Sequence, residues 1–189
     1  MKFFKVSLYI VMILGFMLLP LFSFNGYSII EHTTSHLAAQ GSPNAWVMNI
    51  IFILLGSTSM YIAIKTKSRF HQTIGIIFGL SLIGAAFFRH APINEMFEGN
   101  LFEDQLHSVF ATTTGFSFVL LAFGHGFMHQ KKQRYFGFTV GLVATLISLG
   151  MMFFPEVLGI LQRIMFTSAF YWLFFYMKVN QQFIHNKKT

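Results

Sequence analysis

Six long apolar runs, at residues 6–25, 45–64, 70–88, 106–128, 135–154 and 158–177, alternate along the chain with short polar segments. A bilayer core of about 30 Å is crossed by about 20 residues of α-helix. The pattern therefore predicts an all-α fold, an integral membrane six-helix bundle that occupies residues 1–189 as a single six-span domain. The third and sixth runs are the least clean, because Gln72 and Arg163 sit near their ends. The first outer loop carries "SIIEHTTSHLAAQGSP" at residues 28–43, an unusually polar stretch. Ser28 three positions before Glu31 fits a capping box, and Gly41 and Pro43 mark a stop. A short amphipathic helix over 29–40 is expected, with Glu31, His32, Ser35, His36 and Ala39 on one stripe. Such a helix lies on the membrane surface or folds back over the mouth of the bundle.

Charge orients the spans. Lys2 and Lys5 precede the first, Lys65, Lys67 and Arg69 follow the second, Lys131, Lys132 and Arg134 follow the fourth, and Lys178, Lys187 and Lys188 follow the sixth. These eleven of thirteen basic residues fall on one side, and the six acids (Glu31, Glu95, Glu98, Glu103, Asp104 and Glu156) on the other. By the positive-inside rule both termini are expected in the cytoplasm, in a plasma or inner membrane. The first run is expected to stay as a span: it is too long for a signal-peptide core, and no small-x-small cleavage site follows.

Composition agrees. The chain is 54% hydrophobic and 10% charged, with mean hydropathy +0.61, where a soluble domain has about 25% charged residues. The net charge of +7 reads as topology and contact with membrane lipids, not as nucleic-acid binding. The absence of cysteine removes disulfides, thiolate metal sites and a thiol nucleophile. "GIIFG" at 75–79 and "GFTVG" at 137–141 have the small-xxx-small spacing that lets helix backbones approach, read here as packing within the bundle.

Several outer residues could join the 28–43 stretch: Arg89 and His90 after the third span, Glu103, Asp104 and His107 before the fourth, and Gln162 and Arg163 in the sixth. A charge below the interface is costly, so Arg163 is expected to pair with Glu31, Glu103, Asp104 or Glu156. Three readings are open. His32, His36, Asp104 and His107 would suit zinc in number and type, and a metal-activated water could then hydrolyse a lipid ester or amide. Arg89 and Arg163 could instead hold a lipid head group or small anionic solute, with His32, Ser35 and Gln162 adding directional hydrogen bonds. In the third reading the residues only close the bundle's outer end. Apart from zinc in the first reading, no cofactor is expected. At the inner end, "HGFMH" puts His125 and His129 on one face, with His71 at the same depth. Helix length separates His107 from His125 by about 27 Å, which argues against a two-haem core and for interfacial histidines beside a basic loop.

"YSIIEHTTSHLAAQGSPNAWVMNIIFILLG" at 27–56 resembles a pattern of the bacterial membrane family known as domain of unknown function 998, through Tyr27, Ser28, His32, Ser35, Leu37, Gly41, Pro43 and Asn49. "GILQRIMFTSAFYWL" at 159–173 is similar to that family's last span, with Gln162 and Arg163 as its polar pair, and Asp104 and His107 resemble its acid and histidine opening the fourth span. The loop "FFRHAPINEMFEGNLFED" is longer and more acidic than the family's usual one. The resemblance implies the six-span fold and groups His32, Ser35, Gln162 and Arg163 on the outer side. It implies no activity. The expected function is that of a multi-pass membrane protein whose polar outward pocket is structural or binds a lipid head group or small anion, with the metal-dependent hydrolase as the alternative.

Overall fold

The computed structural model of the chain describes residues 2–93 and 98–177. Glu95, Lys178, Lys187 and Lys188, which entered the charge count above, lie outside the described residues. The long helices are α1 (Lys2–Leu18), α3 (Ala45–Ile64), α4 (Arg69–Phe87), α5 (Leu101–Met128), α6 (Lys131–Phe153) and α7 (Leu158–Tyr171), with a one-turn helix, α2 (Thr34–Leu37), in the first loop. A 3₁₀ turn at Leu19–Phe22 extends α1 where Pro20 enters, and a π turn at Trp172–Tyr176 extends α7. With these extensions all six expected spans are helices long and apolar enough to cross a membrane. The chain is a multi-pass membrane protein.

Two starts come earlier than the hydropathy predicts. Asn100 caps α5, its side chain accepting from the amides of Phe102 and Glu103, so helix begins five residues before the apolar run. α6 likewise begins among the basic residues, at Lys131. In the first loop the predicted twelve-residue helix shortens to four residues. Thr33, not Ser28, is the cap: its hydroxyl accepts from the His36 amide, and His36 Nδ1 accepts from the Thr33 amide at 2.9 Å. His36 thus fills the place a capping box normally gives to Glu or Gln. The preceding residues form a separate turn, in which His32 Nδ1 takes the Ser28 amide at 2.9 Å.

Consecutive long helices run antiparallel and pack side by side, and α1 closes the ring against α3 and α7. Between them lies a core rich in aromatic side chains: Phe16, Phe52, Phe170, Trp172 and Phe174 are all essentially inaccessible. Ile10, Leu80, Phe116, Leu120 and Leu146 point outward and are exposed, an apolar rim that suits acyl chains as solvent and would be a liability in water. The topology gathers Lys2, Lys5, Lys65, Lys67, Arg69, Lys131, Lys132 and Arg134 at one end of the bundle, here the basic end. Glu31, Glu98, Glu103, Asp104 and Glu156 gather at the other, the acidic end.

Both glycine pairs sit in helix contacts. A Cβ on Gly137 would lie 2.7 Å from the backbone nitrogen of Gly126 and 2.8 Å from the Ala122 carbonyl, so α5 and α6 touch backbone to backbone there. Nothing in that contact can rotate away. Gly137→Val is expected to destabilise the bundle by about 1–3 kcal/mol through forced separation of the helices, read as an earlier thermal transition in detergent. Gly115→Ala, whose Cβ meets no atom within 4 Å, is the control that does not lower the transition, since alanine favours helix over glycine.

Candidate functional site

At the acidic end the first loop folds down onto α7. Gly159 makes this contact: a Cβ there would collide with the carbonyls of Ile29, Ile30 and His32. The Ile30 carbonyl accepts the Ile160 amide at 3.1 Å, satisfying one of the open donors at the start of α7. One turn further in lies Arg163, 7% exposed. Its Nη1 donates to the carbonyls of Ile29, His32 and Gly159 at 2.8–3.0 Å, its Nη2 to the Tyr27 hydroxyl at 2.6 Å, and its Nε to the Phe16 carbonyl at 3.4 Å. The Tyr27 hydroxyl in turn bonds the carbonyls of His32 and Thr33, and its ring lies under the guanidinium.

The carboxylate partner expected for Arg163 is therefore absent among the described residues. Peptide dipoles supply the negative potential instead, and the planar fork of a guanidinium can meet several of them at once. The nearby acids have other duties. Glu103 binds the backbone amide and Nε of Arg89 at 2.9 and 3.0 Å, in a partly exposed ion pair. Asp104 accepts from the Ala91 amide at 2.8 Å and faces His90 Nδ1 at 3.3 Å.

Gln162, beside Arg163 in sequence, turns to α2: its Oε1 accepts both the amide and the hydroxyl of Thr34 at 2.7 Å. Gln40 staples the same loop to the start of α5, bonding the carbonyls of Arg89 and Asn100 and the Asn100 amide. The imidazoles of His32, His36, His90 and His107 form a row, with successive ring centroids 5.5, 4.7 and 5.3 Å apart. His107 Nδ1 donates to the carbonyls of Ala85 and Phe88, turning away from Asp104 although one helical turn separates them. Since Nδ1 of both His32 and His36 accepts a backbone amide, the neutral rings carry their proton on Nε2 and present a donor there. Three of the four candidate metal ligands, His32, His36 and His107, thus lie along a row with His90 between the last two, and all four, Asp104 included, have a protein partner.

The structure separates the five expected ligand-binding residues. Arg163 and His32 are built into the loop scaffold, and Arg89 is paired with Glu103. Ser35 and Gln162 alone reach a cavity of about 600 Å³ among α3, α4, α5, α6 and α7. Its walls are mainly apolar, with Phe78, Phe118, Met165 and Phe166 among them, and Ser35 and Gln162 stand with the few polar groups that face it. The apolar part was not visible in the sequence, because each wall residue looked like ordinary span.

A family described as "Protein of unknown function (DUF998)" matches residues 8–177. The chain belongs to the DUF998 family. Neither a curated protein nor a solved structure matches it. In this DUF998 chain Tyr27, His32 and Arg163 lock the first loop onto α7, and Gln162 holds Thr34 beside them.

Two tests probe that lock. Arg163→Met leaves the Ile29 carbonyl without a donor, strips one of two from the His32 carbonyl and is expected to cost about 2–4 kcal/mol of stability. Arg163→Lys should recover only part of it, an ammonium having three donors and no fork, as thermal melts in detergent would read. The second concerns pH. Burial, with the neighbouring His90, His32, His107 and Arg163 charges, lowers the His36 pKa to about 3. Its unfolded value is about 6.5, so the folded state binds fewer protons between the two. Stability is then full above about pH 6.5 and falls as pH drops toward 3. His36→Gln, which keeps an acceptor for the Thr33 amide, should flatten this acid limb; an unchanged pH–stability curve would count against the assignment.

Proposed function

We propose that this protein binds a membrane lipid or comparable amphiphile, its apolar portion in the cavity and an uncharged hydrogen-bonding head at Ser35 and Gln162. The observation that carries the reading is the cavity itself. At about 600 Å³ it falls within the about 300–1,000 Å³ of small-molecule sites, which are concave, mostly apolar and given direction by a few polar groups. Phe116, Leu149 and Met152 line it and are also exposed, which supports entry sideways from the acyl region.

Ser35 Oγ has no protein partner among the described residues. Gln162 uses Oε1 on Thr34, so its Nε2 hydrogens are what it has to offer. Both arginines are taken up by protein acceptors, which favours a neutral head over the anionic solute expected from sequence. The charge distribution supports an orientation with the basic end in the cytoplasm of a bacterial inner membrane and the cavity's polar end facing outward.

The hydrolase alternative requires His32 and His36 to exchange their amide partners for a metal. No observation favours it over simple binding.

The test is lipid carry-through. Purified gently, the wild-type protein should retain about one lipid per chain, identified by native mass spectrometry. Gly115→Leu places a side chain into open space lining the cavity and should reduce that retention at least fivefold without lowering the melting temperature. Equal retention by the two proteins would overturn the reading.

A further inference from the structure

The opposite, basic end of the bundle holds a second cluster that the lipid reading does not use. His71 lies in the first turn of α4, His125 in the last turn of α5, and His129 is the residue that ends α5. His71 and His125 are fully inaccessible and His129 is 6% exposed. Three histidines buried together in a membrane bundle are costly unless they have partners. One ring nitrogen from each lies within 4.8 Å of the others, the only such group of three or more His or carboxylate side chains among the described residues.

The hydrogen bonds around the rings fix which nitrogens face inward. His125 Nε2 is 3.1 Å from Gln133 Oε1, an acceptor, and therefore carries the proton, leaving a lone pair on Nδ1. His129 Nδ1 donates to the His125 carbonyl at 2.9 Å, leaving a lone pair on Nε2. In both rings the outward nitrogen donates to an oxygen while the inward one is free to ligate, which is the arrangement that outer-shell partners impose on metal-bound histidines. His71 completes the set: its Nε2 sits 3.0 Å from His125 Nδ1, and its Nδ1 is buried with no hydrogen-bond partner among the described residues. With its proton on Nε2, His71 makes one hydrogen bond to His125. With the proton on Nδ1, the two inward nitrogens present lone pairs to the same point.

We propose that His71, His125 and His129 form a binding site for one divalent first-row transition-metal ion, with Gln133 and the His125 carbonyl as its outer-shell partners. Two imidazole nitrogens on a tetrahedral ion at about 2.0–2.1 Å lie about 3.3 Å apart, close to the 3.0 Å between His71 and His125. All three ligand atoms lie within 4.8 Å of one another, so a small inward turn of one ring on ligation completes the set. Three neutral imidazoles with no carboxylate nearby exclude magnesium and calcium, which need oxygen ligands, and select zinc, cobalt, nickel or copper. Every described acid is at the far end of the bundle, so the ion keeps its full charge and a fourth position stays open. That is the pattern of three protein ligands found in reactive rather than purely structural zinc sites. The Trp172 ring packs edge-on to His125 at 5.4 Å, and its buried indole N–H also lacks an acceptor among the described residues.

The experiment is cobalt(II) titration of the full chain, purified without a histidine tag, with zinc competition and metal analysis after desalting. The wild-type protein should take up about one cobalt per chain, with the intense visible bands of a tetrahedral site, and lose it to zinc. His125→Ala should abolish these bands. His36→Ala, at the other end of the bundle, should leave them unchanged and so separate this site from the outer histidine row. Gln133→Ala removes no ligand and disturbs only the half-buried start of α6; it should weaken cobalt binding about 10–100-fold, and it decides the matter if His125→Ala does not fold. Absence of saturable binding by monodisperse wild-type protein overturns the proposal, as does unaltered affinity in Gln133→Ala together with His125→Ala. The three histidines would then be a buried hydrogen-bonded relay and nothing more.

Discussion

One buried cation organises the acidic end. Arg163 keeps its charge at any pH a protein meets, and its place one turn inside α7 puts that charge below the polar surface. It cannot be left without acceptors. No acid reaches it among the described residues, so backbone carbonyls must, and three of its five acceptors, the Tyr27 hydroxyl and the carbonyls of Ile29 and His32, lie in the first loop. The loop is therefore held against α7 by the arginine's need for oxygen as much as by its own turn chemistry. Gly159 permits the approach, Tyr27 bridges the guanidinium to the loop, and His32 and His36 satisfy the amides that the turns leave over. Remove the cation and the carbonyls of Ile29 and His32 lose a strong donor together.

The consequence for the interior is a division of labour between the two ends. The acidic end is closed largely by hydrogen bonds between side chains and backbone, centred on Arg163, Gln162 and Gln40. Just beneath it the helices part around small or hydroxylated residues, Ala111, Gly115, Ser148 and Ala169 among them, and leave the apolar cavity. Where α5 and α6 meet nearer the basic end, at Gly126 and Gly137, the backbones touch and no space remains. The lock and the cavity meet at α2: Gln162 holds Thr34, and Ser35, the next residue, faces the empty volume. A ligand filling that volume would press on the segment that Arg163 anchors. The basic end differs again, because there His71 and His125 partner each other and His71 Nδ1 is left unmatched among the described residues.

What the sequence by itself determined was the class of the protein. Six apolar runs and a one-sided distribution of Lys and Arg specify six spanning helices, because hydropathy and length act locally and need no knowledge of the partners. Helix ends were less legible: α5 starts five residues early because Asn100 caps it, and α2 starts late because Thr33 captured the capping role from Ser28. Both outcomes turn on which of several competent side chains reaches an amide first in three dimensions. Charge pairing was the least legible. Arg163 was expected to find Glu31, Glu103, Asp104 or Glu156, yet it found carbonyls, since a pairing rule based on side-chain charge ignores the peptide dipoles a folded loop can present.

Only the tertiary structure decided which polar residues share a site. His32, Ser35, Gln162 and Arg163 were grouped by sequence and do lie together, but in different duties, two in the lock and two at the cavity. His71, at the same depth as His125 and His129 in sequence terms, joins them at hydrogen-bonding distance only because α4 and α5 pack side by side with the right rotation. Depth along a helix follows from counting residues at 1.5 Å each. Direction around the helix axis, and therefore who faces whom, follows from packing against neighbours, and a single chain's pattern of apolar residues constrains it weakly when every face of the helix is greasy.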